Sequence, residues 1–220
     1  MKILIGLAKV FEAAIGERGA LLTRFALFSP RRYVTSLSSR PCNHDPHIVF
    51  QMNDYRAFFK LLDELGIASK TVEHEAVLTA EGLAQRDIGQ WEFPVKNIVV
   101  EDKSRQLYLV TMHLLTPPLD LKQLAASVRA DGRFSFASPE MLGATLQVLP
   151  GSVTPFAVFN DRKRSVRVIL DHRMREAKTV SAHPLVNTKT TTIAMADLLK
   201  LFDYSGHRPH WCALPLKQVR

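Results

Sequence analysis

Little in this chain advertises a reaction. Its only cysteines, Cys42 and Cys212, lie far apart, with neither a disulfide framework nor the C-x-x-C spacing of a zinc site. A reducing compartment is the simpler setting. No run of about 18 uncharged apolar residues occurs, so no membrane-spanning helix and no membrane partner are expected. The sequence holds no G-x-S-x-G nucleophile elbow, no glycine-rich phosphate loop and no H-E-x-x-H helix. Its eight histidines fall in no ligand spacing apart from His44 and His47. No metal and no cofactor are therefore expected. Acidic residues are also short, 21 against 29 Lys and Arg, which leaves a formal charge of +8. That surplus suits an anionic partner, nucleic acid first, and equally a soluble basic protein without one. An enzyme made from what remains would work by positioning, backbone donors and one or two charges.

What is present is a sizeable apolar fraction, 46% of 220 residues with 12 Phe, enough for one domain with its own core. Residues 1–51 read as a basic N-terminal extension and 52–220 as the domain. Residues 1–45 carry seven Lys or Arg against Glu12, Glu17 and Asp45, half of the net charge in a fifth of the chain. Three readings stay open for the extension besides disorder. It resembles an organellar presequence, although Glu12 and Glu17 oppose that. A secretory signal fits worse, because Lys9 interrupts the apolar stretch. Met52 could instead be the biological start.

From residue 53 the helix and turn signals are regular. Asn53 or Asp54 caps a helix with Phe58, Leu61, Leu62 and Leu65 on one face, ended by Gly66. Thr79 caps a second, short helix. The β-rich runs 95–102 and 106–113 predict a hairpin across Lys103-Ser104-Arg105. Asp120 opens the next helix, and Ser138 with Pro139 opens another. AVFND and SVRVIL, on either side of Asp161-Arg162-Lys163-Arg164, predict a second hairpin. The Thr run at 188–192 is a strand, and 196–204 a closing helix capped by Gly206. Hairpins and helices are interspersed without strict βαβ alternation. The expected class is α+β, a mixed, largely antiparallel sheet or partly closed barrel with surrounding helices.

Three stretches carry the candidate chemistry. Lys96 opens an otherwise Val- and Ile-rich strand, VKNIVVED. It is either an edge-strand lysine that blocks aggregation or an ammonium at a pocket mouth. In LPGSVTPFAVFND, Pro150-Gly151 is a turn that lets a substrate approach the backbone, and Thr154-Pro155 fixes its exit. Read blandly, it is a plain loop. In SAHPLVNTKTTTIA, Pro184 biases His183 toward an extended backbone. His183 is either a rim residue or a hydrogen-bonded structural one.

These stretches, with DYRAFFKLLDELGIASKTVEHEAVLT and FSFASPEML, resemble the YbaK-type prolyl-tRNA editing family, in order from Asn53 to Pro209, some seven tenths of the chain. The resemblance implies that fold and a free-standing aminoacyl-tRNA deacylase in the cytoplasm, or in an organelle if the extension is a presequence. Its substrate would be a mischarged tRNA for proline, most often Ala-tRNA(Pro), with Cys-tRNA(Pro) as an alternative. Its partners would be the aminoacylated 3′ end of tRNA and, as a candidate, prolyl-tRNA synthetase, with the protein a monomer or homodimer. By the same resemblance Lys96, Gly151 and His183 are the catalytic residues. Asn97, Ser152, Val153, Thr154, Pro155, Phe156, Pro184 and Asn187 line the substrate site, and Arg162, Lys163, Arg164 and Arg167 meet the tRNA backbone. The competing reading of that basic turn is a solvated loop tip, and of the whole domain a non-catalytic binding module. Where members often carry His-Thr before the Lys-Asn pair, this chain has Pro94-Val95. Ala194 stands where a Ser cap is common.

Overall fold

The computed structural model of the chain describes residues 55–76, 91 and 93–217. The extension 1–51, His44 and His47, the expected Asn53 or Asp54 cap and the helix after Thr79 lie outside the described residues. The first helix, α1 (Tyr55–Glu64), buries Phe58, Leu61 and Leu62 on one face. It ends where Gly66 takes φ +63° and Ile67 N–H returns to Leu62 O, a left-handed stop that glycine adopts without steric cost. Strand β1 (Ser69–Glu73) follows.

The expected first hairpin forms between β2 (Val95–Glu101) and β3 (Leu107–His113), antiparallel, with Lys96 opposite Met112 and Asn97 opposite Thr111. Its turn is held by one buried carboxylate. Asp102 accepts from Ser104 N–H and Oγ, Gln106 N–H, Asp131 N–H and Tyr108 Oη. Burial alone would raise its pKa, but these bonds outweigh it and hold the group at about 2. Asp120 caps α2 (Leu121–Ser127) by accepting from Lys122 and Gln123 N–H. After β4 (Ser135–Phe136), Ser138 caps α3 (Pro139–Leu146) with Pro139 in the first turn.

The second expected hairpin is replaced by a helix-to-strand passage. Thr154 caps a 3-10 helix, Pro155–Asn160, that covers AVFN. A fully apolar buried run reads alike as strand or helix, and Pro155 at the first position tips it to the helix. The strand that follows, β5 (Val166–Asp171), pairs parallel with β3. A second 3-10 helix spans His172–Glu176. Then come β6 (Thr179–Ala182), β7 (Lys189–Ala194), α4 (Met195–Ser205) and β8 (His210–Cys212). Gly206 caps α4 at φ +75°, and Ala194 leaves its start without a side-chain cap.

Among the described residues these strands make two sheets. One is antiparallel, β1-β7-β6; the other is mixed, β4-β2-β3-β5-β8. A parallel bridge between Pro94 and Ser181, with Ser181 N–H donating to Phe93 O, joins them edge to edge. The class is therefore the expected α+β, with the sheets meeting at the departure Pro94-Val95. Side chains of the five-stranded sheet part into two cores. Val95, Val99 and Leu109 enter the one that contains Phe58, Phe156 and α4. Val100, Val110 and Met112 enter the one against Leu124 and Phe134. This parting decides where the candidate residues go.

Candidate active site at the Gly151 turn

Leu149-Pro150-Gly151-Ser152 forms a tight turn. Ser152 N–H donates to Leu149 O at 3.0 Å, and Gly151 takes φ +84°. Proline second and a positive-φ glycine third are what a type II turn requires. The turn is tied to the sheet by Asn97, whose Nδ2 donates to Val153 O at 3.1 Å. That bond fixes which end of the amide is oxygen, and leaves Oδ1 buried without a partner. Thr111, Asn97's neighbour across the hairpin, is fully buried, and its hydroxyl also has no partner.

His183 reaches the turn from the other sheet. Ser181 bridges to Pro94 in parallel, which carries residues 183 and 184 alongside 96 and 97. The ring lies against the Gly151 backbone, and its Nε2 is buried without a partner among the described residues. Burial, reinforced by the His74 ring at 5.8 Å, lowers its pKa to about 4, against a weaker raising effect of the Gly151 backbone. The imidazole is neutral at physiological pH. Pro184 is buried behind it, Leu185 takes φ +66°, and Asn187 is half-buried in the turn that enters β7.

Lys96 follows the strand alternation to the face opposite Asn97. Its ammonium donates to Thr116 O. Arg173 joins the same segment, donating to Thr116 Oγ1 at 3.1 Å while gripping the buried Asp171 carboxylate. His113 lies within reach of both cations. Burial, then Arg173 and Lys96, lower its pKa. The structure thus brings Asn97, Val153, Gly151 and His183 together around one turn. It places Lys96 on the opposite face of β2 from that group, half-buried, with its ammonium on Thr116 O beside a second cation.

The other expected residues divide. Thr154 Oγ1 accepts from Phe156 N–H, Pro155 is buried, and Phe156 stacks on Phe58 at 4.7 Å. These residues shape the exit of the turn from inside the core. Ser152 is buried in the turn itself. Arg162 and Lys163 are exposed on the bend after Asn160. Arg164 lays its guanidinium against Gly206, and Arg167 lies over the Tyr108 ring at 5.7 Å.

Among the described residues two imidazoles contact hydroxyls, and neither pair can serve as a nucleophile and base. His207 bridges Ser205 Oγ and Asp161 Oδ2, but Ser205 donates its proton to the Leu201 and Phe202 carbonyls. His74 Nε2 meets Thr190 Oγ1 at 2.9 Å, but Thr190 is buried within β7, where no ester can reach it. The sequence reading did not single out His74, Thr111 or Arg173. A lone Thr in the apolar run LYLVTMH was as conspicuous as Lys96 in VKNIVVED. His74 and Arg173 carried no comparable signal.

A family model described as an aminoacyl-tRNA editing domain matches residues 74–201. The chain is 34% identical over 157 residues to the prolyl-tRNA editing protein ProX of Acetoanaerobium sticklandii, covering 71% of this chain and 94% of that protein. It is 31% identical over 152 residues to prolyl-tRNA synthetase associated domain-containing protein 1 of Danio rerio, covering 68% of this chain and 82% of the relative. Two solved structures share the fold. One is a scaffold used for computational epitope grafting, with TM-score 0.56, 20% identity and 74% and 97% of the two chains covered. The other is assigned as a candidate trans-editing enzyme for prolyl tRNA synthetase, with TM-score 0.54, 22% identity and the same coverage.

Proposed function

The chain belongs to the aminoacyl-tRNA editing family, and on that footing we propose that it clears alanine wrongly esterified to tRNA for proline, acting as a free-standing deacylase. An aminoacyl ester is already activated. Hydrolysis needs one water oxygen bonded to the carbonyl carbon, the ester C–O bond broken, and a proton returned to the ribose oxygen. No acyl-enzyme is required, and the protein supplies orientation and charge stabilisation. The observation that carries this reading is the Gly151 turn, fastened by Asn97 and flanked by His183, with no usable hydroxyl or thiol beside an imidazole among the described residues.

In this reading the backbone N–H groups of Gly151 and Val153, with that of Ser152 already spent on Leu149 O, face the ester oxygen as charge develops on it. Neutral His183 orients the ester against the turn. Lys96, with Arg173 beside it, holds the phosphate that precedes the terminal adenosine. Val153, Pro184 and Asn187 bound the amino-acid pocket. A synthetase pocket gains only about 1–3 kcal/mol per methylene, so it admits smaller amino acids. A cramped second site rejects proline by its size. Arg162 and Lys163 are free to meet the tRNA backbone, whereas Arg164 and Arg167 first have to leave their present contacts. Prolyl-tRNA synthetase, which supplies the mischarged substrate, is the candidate partner, and the cytoplasm the candidate setting.

The test is deacylation of tRNA for proline charged with Ala, Cys or Pro, by wild type, Lys96→Ala and His183→Ala. The expected result is turnover of the Ala ester, sparing of the Pro ester, and losses of about a hundredfold or more in both variants. Preference for the Cys ester would change the substrate. No turnover on any ester would leave a binding module. Full activity in Lys96→Ala would remove that residue from the site.

A further inference from the structure

Six buried side-chain polar atoms lack a partner among the described residues, and three of them belong to residues around the Gly151 turn: Asn97 Oδ1, Thr111 Oγ1 and His183 Nε2. Asn97 and Thr111 are directly paired across β2 and β3, so their side chains share a face about 5 Å apart at Cβ. Asn97 is bonded to Val153, and His183 lies against Gly151, two residues earlier on the same turn. A buried polar atom left unpaired costs stability, and such atoms are rare in folded proteins. Three at one substrate-facing turn point to a ligand that completes them.

The missing group can be read from what the three atoms are. The bond to Val153 O commits the Asn97 amide N–H, so Oδ1 can only accept. The Thr111 hydroxyl accepts as well as donates. A neutral imidazole with its proton on Nδ1 presents a lone pair at Nε2. A ligand that satisfies all three is a compact donor with three N–H bonds. We propose that these atoms form a binding site for the α-ammonium of the amino acid on the substrate ester, with Thr111 as a specificity-determining residue. This deepens the deacylase reading and rests on it.

A primary ammonium, as on alanine, offers one N–H to each acceptor. The secondary ammonium of proline offers two and puts a ring carbon where the third should be. The site therefore rejects the correct amino acid by its amine as well as by its size. Failure to pair a buried polar group discriminates more strongly than a misfit methylene does. The ring stays an acceptor while the substrate amine is charged, because His183 titrates at about 4 and an α-amine ordinarily near 7.7–8.0.

The experiment uses the full chain and tRNA for proline bearing alanine, N-methylalanine or lactate, with wild type and Thr111→Val. At about pH 6.5 the lactyl and N-methylalanyl esters are expected to be cleaved about tenfold to a hundredfold more slowly in kcat/KM than the alanyl ester, as loss of a hydrogen bond to a charge implies. Thr111→Val should narrow the gap between alanyl and lactyl esters by about tenfold. It should also raise the melting temperature by about a few degrees, because it removes an unpaired buried hydroxyl without changing the shape. A merely structural hydroxyl would lower it. Binding of the stable amide, 3′-alanylamino-3′-deoxyadenosine, against its lactyl counterpart is measured alongside. Equal cleavage of alanyl and lactyl esters overturns the ammonium site and leaves the deacylase standing. Absence of turnover removes the deacylase reading, and equal binding of the two amides then removes the ammonium site as well.

Discussion

At His183 the chemistry and the pH dependence come from the same cause. Burial and the nearby His74 ring hold its folded pKa at about 4, below the 6.5 of an exposed histidine. Between those values the unfolded chain binds the proton more readily, so the residue's contribution to stability is complete above pH 6.5. It falls as the pH drops toward 4, by up to about 3 kcal/mol. The expected outcome is that urea midpoints of wild type lose ground to those of His183→Asn between pH 7 and 4. A gap that does not change with pH would place the ring in water. Of the residues named from sequence, Gly151 was legible because Pro-Gly before Ser specifies its turn chemically. His183 was legible because Pro184 fixed its backbone. Thr111 was not singled out, since its meaning depends on Asn97 across the hairpin, which only strand register reveals.

At the scale of elements, the hairpin that presents both Lys96 and Asn97 depends on Asp102. Its carboxylate accepts from three backbone N–H groups and two hydroxyls, and burial leaves those donors without water if it is removed. Asp102→Ala should cost about 2–4 kcal/mol in chemical denaturation, more than an exposed turn residue would. In wild type the stabilisation from this group is present above pH 3.9 and is lost as pH falls toward 2. A loss under 1 kcal/mol would show that the turn forms without the carboxylate. Helices with cap chemistry were readable locally: Asp120, Ser138 and Gly206 each cap where the sequence said. Residues 155–158 were not, because this wholly buried apolar run has no period to report. The parallel pairing of β5 with β3 is set by long-range packing, which no local signal encodes.

At the scale of the molecule, the charge of +8 and the position of Arg162 and Lys163 make a prediction about tRNA. Binding should weaken as salt rises, each phosphate contact adding about 0.9 to the slope of log K against log salt for a duplex stem. Arg162→Ala with Lys163→Ala should reduce that slope while leaving kcat on a saturating substrate unchanged. An unchanged slope would make the bend a solvated tip. The α+β class was foreseeable from interspersed elements, and the split into two sheets was not. The sheets meet at Pro94 and Ser181, far apart in sequence, and that junction carries His183 to the hairpin.

In the proposed reaction water cuts the ester directly and no side chain of the protein carries the acyl group. Single-turnover hydrolysis of the alanyl ester, stopped by acid at successive times and followed by mass spectrometry of the intact protein, tests this directly. The predicted result is free alanine appearing with no lag and no alanyl adduct on the chain at any time. An adduct that forms before alanine is released and decays as it appears would contradict the account.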